Sequence, residues 1–348
     1  MTNFKEQAHK ILEESLVIDA HFDLLMDVAN QRKFGIHKVI ENDHLDNFRK
    51  GGLNAVVSSL FIESFLTPEI SLREALDQIS SLYQELEESS DYLMLCKSYE
   101  DMIKAKENNK IGIFLSFEGV EPLNNDLDLL DIFYRLGVRF VGLTWSRRNF
   151  AGDGSKFLPP DPKKNSNGLS DFGKDLVKKV QSLGMIIDVS HLNDKGFWQV
   201  IEITKEPIIA SHSNCRKIVN LERNLSDPQI KAIADTDGVI GINALNKIVA
   251  KDPEKANVGD LVKHIDHIVN LVGIEYVGLG FDFCEHLKKF NPQFVNELNP
   301  SPSFQVLNNH SNIVLLVEKL LQRGYGEEDI KKILGENFLR VYKKVLID

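Results

Sequence analysis

The chain has 348 residues, 43% of them hydrophobic and 26% charged, an ordinary balance for a soluble globular protein. A formal net charge of -10 argues against nucleic acid as its main partner, and no stretch approaches the ~20 apolar residues that a membrane-spanning helix requires. Three widely separated cysteines (Cys96, Cys215 and Cys284) outside any CxxC pattern, and a charged N-terminal segment without a signal peptide's apolar core, imply reduced thiols and a cytoplasmic location.

Residues 4–14 have helical spacing, and 16–23 (LVIDAHFD) form a short apolar strand that ends in a His-x-Asp pair. The polar segment 30–46 is expected to be a loop inserted above that strand. Residues 54–62 (NAVVSSLFI) are a second buried strand, and 70–88 carry apolar residues at helical spacing. The run 92–96 is apolar but too short to assign; 100–108 is helical. A third strand, 112–120 (GIFLSFEGV), ends in Glu118. The helix over 126–136 is closed by Gly137, the usual residue past a helix C-terminus. Residues 138–145 (VRFVGLTW) are the fourth strand. Residues 146–170, rich in Asn, Gly, Asp, Pro and Lys, form a long surface loop of the kind that usually serves function.

Alternation then becomes regular. Strands at 185–191 (MIIDVSH), 207–213 (PIIASHS), 239–244 (VIGINA) and 276–283 (YVGLGFDF) alternate with helices at 171–183, 195–204, 227–234 and 258–272. Further helices fill 311–347. Eight near-continuous apolar strands, mostly separated by helices, require a parallel sheet covered on both faces. The expected fold is α/β, a (β/α)8 TIM barrel. A single catalytic barrel domain over residues 1–348 is expected, with an N-terminal helix and a C-terminal helical extension. No GxGxxG follows the first strand and no GxxxxGK[ST] occurs, so nucleotide binding has no support.

The polar residues at the strand ends carry the chemistry. His21 and Asp23 share a face at the end of strand one, since strand side chains alternate. Alone, such a pair is weak evidence for a metal. Glu118 ends strand three, His191 ends strand five, His212 lies near the end of strand six and Asp282 near the end of strand eight. In a barrel these ends meet at the rim where barrel active sites lie. One catalytic zinc takes three protein ligands, whereas five groups with a shared carboxylate suit two ions ~3.5–4 Å apart. In that arrangement Glu118 bridges, His21 and Asp23 serve one ion, and His191 and His212 serve the other. A hydroxide between the ions is the expected nucleophile, with Asp282 as the group that moves the proton.

These residues lie within the segments VIDAHFD, FEGVEPL, LGVRF-x-GLTW, GLSDFG, IIDVSH, IASHSN, ERNLSD, VGLGFDF and ENFLRVY. Together the segments resemble the membrane dipeptidase (renal dipeptidase) family of zinc peptidases, family M19, over nearly the whole chain. The resemblance implies an amidohydrolase-like barrel of the bacterial, cytoplasmic type holding two zinc ions. It implies hydrolysis of dipeptides with a free carboxylate, including those with a C-terminal D-residue. Metal ligation by His21, Asp23, bridging Glu118, His191 and His212 is likewise implied, with proton transfer by Asp282. Arg223 matches the family's arginine for the substrate carboxylate. The family's mammalian members have a His after Leu-Thr on strand four, where this chain has Trp145. An indole donates one N–H but carries no charge, so Trp145 is expected to line the substrate pocket. The family's Gly-Asp-x-Asp-Gly-like turn is replaced by Phe281-Asp282-Phe283-Cys284-Glu285, which predicts a bulkier pocket wall. Family members are often dimers, which makes the C-terminal helices the surface to test for a homodimer.

Each assignment has a plainer counterpart. The rim residues would otherwise be a polar network capping the barrel, Asp282 a structural acceptor and Arg223 a solvated charge. Asp19 points into the barrel by strand parity and is expected to support its neighbours. His264 and His267, three apart beside Lys263 and Asp266, are expected on a solvated helix face. His37, His44, His286 and His310 receive no role, and neither Cys215 nor Cys284 has the surroundings of a cysteine nucleophile. Two functional alternatives stand: a related binuclear amidohydrolase acting on another small amide, N-acyl amino acid or lactone, and a non-catalytic metal- or ligand-binding barrel.

Overall fold

The computed structural model describes residues 4–161, 166–289 and 305–346. Nine strands follow in chain order: β1 (Ile18–Phe22), β2 (Ala55–Phe61), β3 (Leu93–Leu95), β4 (Ile111–Glu118), β5 (Val138–Gly142), β6 (Ile186–Asp188), β7 (Ile209–Ala210), β8 (Val239–Ile242) and β9 (Val277–Leu279). All pairings between them are parallel, in the order β1-β2-β4-β5-β6-β7-β8-β9. A parallel bridge between Phe22 and Phe283 joins the two ends of that order, and the Asp282 N–H donates to the His21 carbonyl at 3.3 Å. The result is a nearly closed eight-stranded TIM barrel with flanking helices. The unassigned run 92–96 contains β3. It pairs with the first residues of β4 (Leu93 opposite Ile111), below the point where β5 takes over with Val138 opposite Leu115.

Burial on both faces explains why these strands are apolar runs rather than alternating ones. Ile18, Ala20, Val57, Phe114, Phe140 and Ile186 fill the barrel, and Phe338 and Tyr342 of the helix Asn337–Val345 pack against them. The outer faces meet the helices in a second, larger core. Ser98, Ser170, Asn193 and Asn257 each accept a first-turn N–H, so the helices after the polar connections start where a capping side chain stands. Among the described residues no helix is long and apolar enough to cross a membrane.

Three expectations are corrected. Segment 30–46 is mostly helical: Leu24–Lys33 is a helix, Ile40–His44 and Leu45–Lys50 follow, and only a short link separates them. Several of its polar residues (Lys33, His37, Lys38, Asn42) do face solvent, but Arg32 is drawn in, reaching Glu85 at 2.6 Å and Glu88 at 2.8 Å on the helix Ser71–Glu88. His264 is fully buried, not solvated, because it falls on the inward stripe of Val258–Val272 with Leu261, Ile265 and Ile268. Its Nδ1 accepts from the Cys215 N–H at 3.0 Å, and its Nε2 is 2.9 Å from the Val249 carbonyl. His267 leaves that stripe and pairs with Asp227 at 2.8 Å, so the two histidines share no ligand position.

The third concerns Asp19. The register of β1 on β2 shifts between Asp19 (opposite Val56) and Phe22 (opposite Ser58). This bulge reverses parity, a device known from strands beside active sites. Ile18 faces the barrel interior, Asp19 faces out with Val56, and beyond the bulge His21 and Asp23 face in. Asp19 therefore works from outside. Its Oδ1 accepts from the backbone N–H of Phe281 (3.0 Å) and His21 (3.3 Å), and its Oδ2 is 2.8 Å from His310 Nε2. His310 is enclosed by the rings of Phe22, Phe48 and Phe283. Removing one partner of a buried pair leaves the other uncompensated. Asp19→Ala is expected to lower unfolding free energy by about 3–5 kcal/mol in urea melts; a loss within ~0.5 kcal/mol, as for a plain surface change, would show that the pair does not brace the seam.

Candidate metal centre

Along the inward columns of the barrel, apolar residues give way to polar ones toward the strand C-termini. Val57 is followed by Ser59 on β2, Phe114 by Ser116 and Glu118 on β4, and Ile186 by Asp188 on β6. The polar layer thus stands on a dry floor. It holds all six rim residues expected from the sequence, five of them buried and Asp282 partly buried.

Glu118 stands between two groups of donors. His21 Nε2 is 3.5 Å from Glu118 Oε2, 3.6 Å from Asp23 Oδ1 and 3.9 Å from Asp282 Oδ1. Glu118 Oε1 lies 3.2 Å from His191 Nε2 and 3.8 Å from His212 Nε2. His21 with Asp23 and Glu118, and Glu118 with His191 and His212, form donor sets whose ligand atoms all lie within 4.8 Å of one another; so do His21, His212 and Asp282.

These donors fit divalent cations. His21 Nε2 and Glu118 Oε2 are buried without a hydrogen-bond partner, which costs about 1–3 kcal/mol for each such group. His191 Nε2 and His212 Nε2 face each other at 2.9 Å, while their Nδ1 atoms are taken up by Ser146 Oγ (2.8 Å) and Ser211 Oγ (2.6 Å). Burial, with the nearby charges of Arg223 and His21, holds both rings well below the usual imidazole range, so they are neutral, the form a metal binds. Burial also opposes the charged form of His21, but Glu118 and Asp23 outweigh it and raise its pKa well above the usual value. A proton there stands where positive charge is wanted. Burial raises Glu118 and Asp282, with Asp23 adding to both. Asp23 is held low despite burial, by His21 and by the hydroxyl of Ser59.

Side chains behind the rim fix its geometry. His191 (φ 63) and Asp282 (φ 58) adopt the left-handed region, uncommon for residues other than glycine. Both lie beyond the ends of β6 (Asp188) and β9 (Leu279), so these strands stop before the apolar runs do. Asp188 accepts from the N–H of Ser190 and Ser211 (2.9 Å each) and from the Ser211 hydroxyl, whose oxygen meets His212. Asp188 was missed from sequence, although a buried aspartate closing an apolar run is a usable signal. Asn243 donates to Asp282 Oδ2 at 2.8 Å.

Arg223 is not a solvated charge. It is 2% exposed; Nη1 donates to Ser213 Oγ (2.8 Å), Nη2 donates to the His212 carbonyl (2.7 Å), and its Nε has no partner among the described residues. Burial pulls its pKa down to about 10, against the charges of Asp282 and Glu118. Trp145 is half-buried, with its ring 5.3 Å from Phe61 and 5.9 Å from His191. With Phe157 and Leu221 it packs on a separate apolar cluster that includes Met26, Leu245 and Cys284. Backbone bonds from Arg223 N to Lys156 O (3.1 Å) and from Glu222 N to Leu158 O (2.8 Å) set Phe157 beside the arginine.

The profile of the membrane dipeptidase family, peptidase family M19, matches residues 5–346. The chain belongs to that family. It is therefore a hydrolase of the metallo-dipeptidase family, with a buried His/Glu/Asp cluster suited to metal. Dipeptidase tcpJ of Claviceps purpurea (strain 20.1) is 31% identical over 338 residues, 94% of this chain and 74% of that one. In fold the chain is similar to the crystal structure of dipeptidase AC, a metallo peptidase (TM-score 0.84, 24% identity, covering 96% of this chain and 99% of that one). It is also similar to a metallo peptidase from Rhodobacter sphaeroides liganded with a phosphinate mimic of the dipeptide L-Ala-D-Ala (TM-score 0.84, 22% identity, 95% and 100%).

Proposed function

We propose that this M19 protein is a zinc-dependent dipeptidase that hydrolyses the peptide bond of dipeptides with a free C-terminal carboxylate. The observation that carries this reading is Glu118, whose two oxygens face separate donor sets, His21 with Asp23 and His191 with His212. Two zinc ions held there would polarise the scissile carbonyl and lower the pKa of a water toward ~7. Asp282 accepts the proton of the attacking water and passes it to the leaving amine, with Asn243 holding its other oxygen still. Arg223 anchors the substrate carboxylate through its planar guanidinium. Trp145 and Phe157 exclude water on the His191 side and favour an apolar side chain there. Acceptance of a C-terminal D-residue is supported by the L-Ala-D-Ala mimic held by the Rhodobacter sphaeroides protein.

Asp282 must be ionised to accept a proton, and burial pushes its carboxyl up to about 6. As pH falls through that value the base is lost, so kcat/KM is expected to drop tenfold per pH unit on the acid side. Asp282→Asn should flatten this limb along with the rate, and an unchanged acid limb in that variant would remove Asp282 from the role.

The direct test is amine release from L,L- and L,D-dipeptides by metal-stripped protein with and without added zinc. Zinc-dependent cleavage is expected. Trp145, in place of the imidazole of the family's mammalian members, favours one alternative, an amidohydrolase acting on N-acyl amino acids or another small amide. Turnover of those substrates with none on dipeptides would establish it.

A further inference from the structure

We propose that Cys284 supplies a thiolate ligand to the ion on the His21–Asp23 side, making that position selective for thiophilic cations. The proposal rests on the metal-dependent reading above. The Phe22–Phe283 bridge sets the phase of both chains at the barrel seam. With those rings outward, the residues on either side face in: His21 and Asp23 from one strand, Asp282 and Cys284 from the other. Two donor pairs therefore oppose each other across the seam. Ligand atoms of Asp23, Asp282 and Cys284 lie within 4.8 Å of one another. The Cys284 thiol donates to the Asp282 carbonyl at 3.3 Å and is 3.7 Å from Asp282 Oδ1, the oxygen that is 3.9 Å from His21 Nε2.

A second observation points to a ligand at this place. His21 Nε2 is buried with no hydrogen-bond partner and is aimed among these acceptors. Carboxylates leave room for magnesium or manganese and imidazole already favours zinc, whereas an added thiolate shifts preference further toward soft cations such as zinc, cobalt and cadmium. Coordination replaces the S–H bond by a sulfur–metal bond and releases the proton to solvent.

Cobalt(II) loading of the metal-stripped full-length protein tests this without reference to turnover. Visible d–d bands report cobalt in the centre, and a near-ultraviolet sulfur-to-cobalt charge-transfer band reports a thiolate bound to it. The wild type is expected to show both. Cys284→Ser and Cys284→Ala are expected to lose only the charge-transfer band, with Cys96 and Cys215 present throughout as internal controls. Cadmium affinity should fall on the order of 10–100-fold in these variants, with manganese affinity unchanged. Wild-type protein with d–d bands but no charge-transfer band would overturn the ligand role and leave the metal reading intact. Protein with neither band would overturn both. The wild-type spectrum decides the matter even where a variant fails to fold.

Discussion

Glu118→Gln is expected to lower kcat on dipeptides by about 10³-fold or more, roughly 4 kcal/mol of transition-state stabilisation, while the barrel remains folded. The substitution keeps volume and one oxygen but replaces the other with an N–H2 donor. That donor must face either His21 Nε2 or the nitrogens of His191 and His212, since each carboxylate oxygen points at one of these groups. One donor set loses its shared ligand and the charge that balances its cation. Metal content measured alongside steady-state rates should fall in parallel, and urea unfolding of the metal-free protein should change little, because the variant also relieves the repulsion between Glu118 and Asp23. A variant with near-normal turnover would mean that Glu118 bridges nothing.

The second large effect is expected at Arg223. Replacing it with Gln should reduce kcat/KM for dipeptides with a free carboxylate by about 10²-fold, close to 3 kcal/mol, as when a buried charge pair loses one partner. C-terminally amidated counterparts, expected to be poor substrates for the wild type too, should be almost unaffected. The comparison matters because Arg223 also holds Ser213 and the carbonyl of His212. A role confined to bracing His212 would slow both substrates equally. Arg223→Lys, which keeps charge but not the planar fork, is expected to fall between the two.

Most of the rim was legible because each of its residues follows an apolar run, and in a parallel barrel the ends of such runs converge. Harder to see were the features that depend on pairing register. Parity carried from His21 back to Asp19 fails because of a bulge that only the alignment with β2 reveals. The same holds for His310, which has no strand of its own and gains its partner from 291 residues away. Arg32 was hidden for another reason: its carboxylate partners lie on a helix more than fifty residues later, so segment 30–46 looked solvated. Asp188 sat inside a recognisable segment, yet its value comes from Ser211 on the neighbouring strand.

The seam between β1 and β9 has a consequence for biogenesis. On a ribosome the chain emerges N-terminus first, and His21 and Asp23 leave the exit tunnel early, whereas Asp282 and Cys284 follow some 260 residues later. Until then the early donors have neither the opposing strand nor the outer brace from Asp19 and His310. A half-made chain thus offers metal only isolated imidazoles and carboxylates. On the proposed metal-dependent reading, metal acquisition would be tied to completion of the barrel, and a cation seated at the seam would clasp the first strand to the last.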